Sequence, residues 1–372
     1  MALGIARSLG RRGIPVWVLH DEHVVATASC YVRRSLPWPD AHEIEFLLDL
    51  TAQHRLQDWM LFPVTDKAAA LISRHQMALA ECYTLTSPGW EVMQYAYDKR
   101  LTYRLAAEVG LDYPITYYPR NRDDLPALDC AFPTILKPAI KEGHNAFTDA
   151  KAWRVENRAQ LVARYEEASR LVDPGIIMVQ ELIPGGGEAQ YSFAALCRDG
   201  CPLGSLVARR VRQFPVDFGR TSTYVETIDH AEVEHAGRRL LAALGYTGLV
   251  EVEFKYDHRV GQYKLLDINA RVWGWHTLGR RAGVDFPYLQ WRLAHGQSVK
   301  TVRARAGVRW VHMTTDIVAA GQEIRHGRLS PGNFIRSLRH PLEHAIFAAD
   351  DPLPALVEMP LMARDIWTRR GR

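Results

Sequence analysis

Short apolar runs alternate with amphipathic stretches through the first part of the chain. In ALGIARSLG, Leu3, Ile5, Ala6 and Leu9 fall along one side of a helix closed by Gly10 and Gly13, and IPVWVLH then reads as a strand. A helix running straight into a strand is the second half of a βαβ unit, so a first strand and its glycine-rich turn are expected to precede residue 1; the alternative is a fold that genuinely starts with a helix. Further strand-like runs occur at Val16 to Leu19, Met60 to Val64 and Tyr83 to Thr86, with helical patterns at 41–54 and 66–80 between them. This alternation predicts a small, doubly wound parallel sheet over residues 1–90, a Rossmann-like unit lacking its first strand.

The sequence SPGW at 87–90 breaks that rhythm, and a helical region rich in Tyr, Leu and Ala runs from there to Gly110. The strands FPTILKPA (132–139) and IIMVQELI (176–183), with a helix near 157–171, make one α+β unit over 91–184 that ends in the glycine run Gly185 to Gly187. A second α+β unit over 185–300 holds EAQYSFAAL (188–196), a basic strand from Leu206 to Phe214, a helix at 231–244 and the strands VEVEFKYD (250–257) and QYKLLDIN (262–269). Residues 301–372 read as a mostly helical extension punctuated by Pro331, Pro341, Pro352, Pro354 and Pro360.

Composition narrows the function class. A formal charge of +4 from 46 basic and 42 acidic side chains lacks the basic stripe of a nucleic-acid binder, so small anionic ligands fit better. Five cysteines without CxxC spacing support neither a disulfide framework nor a zinc knuckle. No transmembrane run and no secretion signal is evident, and a soluble, cytoplasmic protein is expected. The C-terminal ALVEMPLMARDIWTRRGR suits either peripheral contact with an anionic membrane or a packed helix with a solvated basic end, and the second reading is preferred.

Alternation along the strand pair decides which polar groups meet. In VEVEFK, Glu251, Glu253 and Lys255 share one face while Val250, Val252 and Phe254 take the other; Asp267 and Asn269 share a face opposite Leu266 and Ile268. If the strands pair as a hairpin, Glu253, Asp267 and Asn269 converge as oxygen donors for a hard divalent cation such as magnesium, or the related manganese. The alternative is a solvated outer face of the hairpin.

In order along the chain stand Asp98-Lys99, Lys137-Pro138, QELIPG at 180–185 with Glu188, then Glu253, then DINAR at 267–271. This succession resembles the ATP-grasp superfamily over roughly residues 90 to 295. The resemblance implies two α+β subdomains clasping ATP, behind a truncated Rossmann-like domain. It implies that Lys99 and Lys137 reach the phosphates of ATP, that Glu181, Leu182 and Ile183 meet the adenine edge, and that Glu188 accepts from the ribose hydroxyls. Glu253, Asp267 and Asn269 become magnesium ligands, and Arg271 the cation over the transferred phosphate. Two departures stand out. The loop AIKEGHNAFTDAK at 139–151 holds only Gly143 where the family is rich in glycine and serine, leaving Lys141 or His144 to substitute; and Asp267 stands where glutamate is commoner.

Arg209, Arg210 and Arg212, followed by WGWHTLGRRAG at 273–283, suggest a site for an acidic or phosphorylated substrate. Arg212 and His276 are candidate catalytic groups there, with Trp273 and Trp275 read as core. RQFPVDFG, ARVWGWHTLGRRAGVDFPYL and DPLPAL are similar to carboxylate-amine ligases of the D-aspartate ligase type. The implied reaction joins a small carboxylate to an amine through an acyl phosphate. The rivals are a carboxylase or carbamoyl-phosphate-forming enzyme and a non-catalytic nucleotide-binding module. Expected partners are the two small substrates, no nucleic acid, and conceivably a second copy of the chain in a homodimer.

Overall fold

The computed structural model describes residues 1–370 apart from 21–23, 141, 142, 144, 151, 217, 218, 220 and 340. The opening helix Ala2–Gly10 buries Leu3, Ile5, Ala6 and Leu9, the face its periodicity marked. Strands Val16–His20, Trp59–Leu61 and Tyr83–Leu85 lie where expected, but the hydrogen bonding makes two separate parallel pairs: Val16–His20 with Val32–Pro37, and Trp59–Leu61 with Tyr83–Leu85. Val32–Pro37 escaped sequence reading because VRRSLP carries no alternating apolar face and its arginines are exposed. Helix Asp66–Arg74 starts where Thr65 Oγ1 accepts from the Ala68 amide at 3.1 Å, which fixes Asp66 in its first turn.

Beyond it stand a four-stranded antiparallel sheet and an eight-stranded sheet. The smaller runs in the order Thr116–Tyr117, Ile177–Glu181, Thr134–Pro138, Trp153–Val155, with helix Arg158–Ser169 laying Leu161, Tyr165 and Ala168 on Leu136, Val155 and Val179. The larger runs Gln262–Asn269, Gly248–Asp257, Gln190–Arg198, Cys201–Phe214, Thr221–Ile228, Arg309–Val311, Leu342–His344, with Val302–Arg303 pairing Cys201–Phe214 off that path.

Alternation along its central strands divides the large sheet between two faces. Phe193, Ala195, Cys197, Val250, Val252 and Ile268 face helix Ala231–Ala243 through Val233, Leu240 and Leu241. On the other face Ala194, Leu196, Leu206, Ala208 and Leu249 pack against Trp273, Trp275 and Phe286. Each large side chain buried this way stabilises the fold by roughly 1.5–3 kcal/mol. The apolar packing covers only part of that second face, and its remainder carries the polar groups described below. The C-terminal part is less helical than its sequence suggests. Helices Met313–Arg325, Pro331–Ser337 and Leu353–Arg370 are present, but Arg309–Val311 and Leu342–His344 extend the large sheet. Three-residue strands that pair with distant partners leave no local period to read.

Candidate functional site

The hairpin forms. Strands Gly248–Asp257 and Gln262–Asn269 pair antiparallel, with Glu253 opposite Asp267 and Glu251 opposite Asn269. Asn269 Nδ2 donates to Glu253 Oε1 at 2.9 Å and to Glu251 Oε2 at 3.1 Å, so two acidic side chains meet one amide, with Asp267 opposite Glu253 on the same face. Glu251, which sequence reading left without a role, is the most deeply buried of them and accepts from Ser192 Oγ at 2.9 Å. Burial, and then the neighbouring Glu253 carboxylate, push its carboxyl up to about 7.

Three cations surround this group, and each comes from a different part of the fold. Lys99, at the start of helix Lys99–Glu108, donates from Nζ to Asp267 Oδ1 at 2.6 Å. Arg271 binds Asp66 through Nε at 2.6 Å and Nη2 at 3.3 Å, and its Nη2 also donates to Asn269 Oδ1 at 3.3 Å. Arg210 is 9% exposed; among the described residues it lies 3.8 Å from the Glu253 carboxylate and donates to Gln213 Oε1 at 3.3 Å. Lys137 lies half-buried on Thr134–Pro138, on the face shared with Ile135 and opposite Met178, where Tyr103 packs. Tyr103 joins the two sheets: it accepts from Gln180 Nε2 at 3.1 Å and donates to the Leu266 carbonyl at 3.1 Å.

The stretch that follows strand Ile177–Glu181 is held by basic groups of the hairpin. Glu181 takes Arg259 Nη2 at 2.7 Å, Lys264 Nζ, and the Ile115 amide at 2.9 Å. Burial alone would raise its carboxyl, but the bonds from Lys264, Ile115 and Arg259 outweigh it and hold the group below its ordinary value. The Glu181 side chain is thus committed to the protein, and its backbone amide donates to the Ile115 carbonyl at 2.9 Å. The Ile183 carbonyl in turn accepts from Lys255 Nζ at 2.9 Å. Glu188 is exposed and accepts from the Gly186 amide at 2.9 Å.

Two expected site residues lie elsewhere. Arg212 does not share a face with Arg210, because the register of Cys201–Phe214 against Thr221–Ile228 shifts between them. It forms a buried, bidentate ion pair with Asp316, Nε to Oδ1 at 2.8 Å and Nη2 to Oδ2 at 2.7 Å. His276 is also withdrawn. It is 2% exposed beneath Gly4, its Nδ1 lies 2.9 Å from the Trp273 carbonyl, and burial pushes its pKa down to about 3. An imidazole kept neutral in the folded chain but able to protonate when unfolded stabilises the fold above its ordinary pKa of 6.5 and loses that contribution as pH falls toward 3. His276→Phe is therefore expected to flatten the decline of melting temperature between about pH 6.5 and pH 4; an unchanged profile would show that His276 does not drive it. Trp273 and Trp275 are core, 1% and 4% exposed. Lys141 and His144 lie outside the described residues; beside them Asn145 caps Ala146–Asp149 through the amides of Phe147 and Thr148.

The donor chemistry suits magnesium. Glu253 and Asp267 are facing hard oxygen donors, only partly exposed, with an amide between the strands, and Asp267 already draws a cation to 2.6 Å. Among the described residues there is no group of three or more His, Cys, Asp or Glu placed for a metal, so such an ion must complete its shell with water or phosphate. Among the described residues no helix is long and apolar enough to cross a membrane.

A four-stranded antiparallel sheet linked to a larger sheet that carries the paired acids on its hairpin matches the ATP-grasp fold, and the chain has that fold. Residues 177–316 match a family described as ATP-grasp in the biosynthetic pathway with Ter operon. The D-aspartate ligase of Enterococcus faecium is 26% identical over 245 residues, 61% of this chain and 57% of that protein, so the chain spans less than two-thirds of its relative. Among solved structures, the biotin carboxylase domain of Hydrogenobacter thermophilus 2-oxoglutarate carboxylase superposes with a TM-score of 0.66 at 16% identity, covering 83% of this chain and 70% of that one. The L-amino acid ligase of Bacillus licheniformis gives 0.61 at 16% identity, covering 78% and 70%. The biotin carboxylase domain was solved in complex with magnesium ADP, ADP and bicarbonate.

Proposed function

We propose that the protein is an ATP- and magnesium-dependent ligase that forms an amide from a small carboxylate and an amine. The observation that carries this reading is the convergence of Glu253, Asp267 and Asn269 on paired strands with Lys99, Arg210 and Arg271 around them. The likeness to a D-aspartate ligase and an L-amino acid ligase supports the amide-forming branch. Residues 91–184 and 185–300 act as the two jaws around the nucleotide.

Phosphoryl transfer asks little covalent help of the protein; it asks for alignment and neutralised charge. Lys99 and Lys137 bind phosphate oxygens as flexible point charges, while the planar Arg271, oriented by Asp66, spans a pair of phosphoryl or carboxylate oxygens. Magnesium held by Glu253, Asp267 and Asn269 would neutralise the phosphates of ATP and polarise the γ-phosphoryl group. The substrate carboxylate attacks the γ-phosphorus and releases ADP. The amine then attacks the acyl carbon to form the C–N bond, and Arg271 meets the negative oxygen of the tetrahedral intermediate. Collapse of that intermediate breaks the bond to phosphate, the amine's proton leaving to solvent or to the departing phosphate.

Arg210 is assigned to an anionic group of the acid substrate, since it is buried on the site face and meets Glu253 only at 3.8 Å, longer than a hydrogen bond. Arg210→Ala should raise the KM for the acid about 30-fold or more, the order of 2 kcal/mol expected for a lost buried charge contact, with the KM for ATP within about threefold. An equal rise for both substrates would assign Arg210 to the nucleotide.

The reaction is tested by ADP release against panels of carboxylic acids, amino acids and amines. Release that needs one acid and one amine together, with an amide recovered, supports the ligase. The biotin carboxylase neighbours make bicarbonate the rival acid, and release driven by bicarbonate without an amine would favour that chemistry. Nucleotide binding with no turnover against any panel would leave a binding module.

A further inference from the structure

Lys255 lies two residues beyond Glu253 on strand Gly248–Asp257. The register of that strand against Gln190–Arg198 is unbroken, with Glu253 opposite Ser192 and Lys255 opposite Gln190, so Lys255 stays on the face that carries the acidic group. Its Nζ donates to the Ile183 carbonyl at 2.9 Å and to the Gly185 carbonyl at 2.7 Å. Those carbonyls belong to the connection between strand Ile177–Glu181 of the small sheet and strand Gln190–Arg198 of the large one. An ammonium group has three N–H donors, and two of them go to carbonyls among the described residues.

At a strand rise near 3.3 Å per residue, Lys255 sits about 7 Å along the strand from Glu253, in the direction of the connection. A nucleotide with its phosphates at Glu253 and Asp267 and its base against the backbone of Ile183 has to cross that stretch of the sheet. We propose that Lys255 is a nucleotide-recognition residue whose ammonium, anchored by the Ile183 and Gly185 carbonyls, donates its remaining N–H to a ring nitrogen of the purine base. The proposal rests on the nucleotide reading given above. It separates Lys255 from Lys99, whose ammonium is paired with Asp267 at the phosphate end.

The test is a binding comparison that needs no turnover. Affinities of the intact protein for ATP, 1-deaza-ATP, 3-deaza-ATP and 7-deaza-ATP are measured by calorimetry with magnesium present, for the wild type and for Lys255→Met. One deaza analogue should bind the wild type about tenfold more weakly than ATP, the loss that accompanies a hydrogen bond from a charged donor. Lys255→Met should bind ATP about tenfold more weakly and treat that analogue and ATP alike. Lys255→Arg, which keeps the charge, is expected to retain part of the discrimination and serves if the methionine variant does not fold. Equal binding of all four nucleotides by the wild type would overturn the proposal. So would an equal loss for all four in Lys255→Met, which marks a structural latch only. Failure of the wild type to bind ATP at all would instead remove the nucleotide reading on which the proposal stands.

Discussion

Glu253→Gln lowers turnover about 10²–10³-fold while leaving the protein folded. The change is isosteric, and the glutamine carbonyl still accepts from Asn269 Nδ2, which sits 2.9 Å away. The apolar neighbours Val252 and Phe254, 0% and 1% exposed, keep their packing on the opposite face. What disappears is one negative charge from the facing pair Glu253 and Asp267. A bound dication contributes several kcal/mol of charge stabilisation to phosphoryl transfer, and each 1.36 kcal/mol is a factor of ten in rate. Losing half of the carboxylate pair forfeits much of that. The measurement is kcat for ADP release across a magnesium titration, with melting temperature as the control. The variant should require more magnesium and still not regain the wild-type rate; full activity at the wild-type magnesium concentration would mean that Glu253 holds no metal. Asp267→Asn is expected to behave similarly and, in addition, to loosen Lys99, which its carboxylate now holds at 2.6 Å.

That the acidic pair could be found from sequence follows from the period of a strand. In VEVEFK every second residue is apolar, and in LLDIN Leu266 and Ile268 flank Asp267, so strand alternation assigns each carboxylate a face and a short turn at Gly261 makes the strands neighbours. A register shift beside Glu253 nevertheless sends Leu265 rather than Leu266 into the core with Ile268. The same rule misled on Arg212. Residues two apart should share a face, but the register shift between Arg210 and Arg212 turns the second arginine to the opposite side, and no residue in ARRVRQF announces it. The loop WGWHT was also ambiguous: its glycine and histidine look like a ligand-binding turn, yet the two tryptophans beside them draw His276 into the core. Least legible were the partners that orient the cations. Lys99 meets Asp267 across 168 positions of chain and Arg271 meets Asp66 across 205, and such pairs leave no trace in local pattern. The Asp66 contact matters most of these, because it makes the N-terminal part of the chain a contributor to the site.

The second large effect is on stability. Asp316→Ala should destabilise the fold by about 3–5 kcal/mol, the range for removing one partner of a buried ion pair. Asp316 is 0% exposed and Arg212 7%. The guanidinium is bound through two hydrogen bonds at 2.8 and 2.7 Å and lies over the Tyr224 ring at 4.1 Å, with Phe334 at 5.4 Å. Thr223 Oγ1 also donates to Asp316, at 2.8 Å. Truncation leaves a positive charge among aromatic rings with no carboxylate, so the loss exceeds the net worth of the pair itself. The double variant Arg212→Met with Asp316→Leu removes both charges and should recover most of the loss, which separates charge burial from simple packing. The readout is the urea midpoint at constant slope. Because Arg212 and Asp316 sit on the face away from Glu253, the folded fraction of Asp316→Ala should bind ATP as tightly as the wild type, within about twofold. A midpoint left in place together with lost turnover would reverse the assignment: Arg212 would then act in the reaction, and the ion pair with Asp316 would be a contact it leaves when substrate arrives.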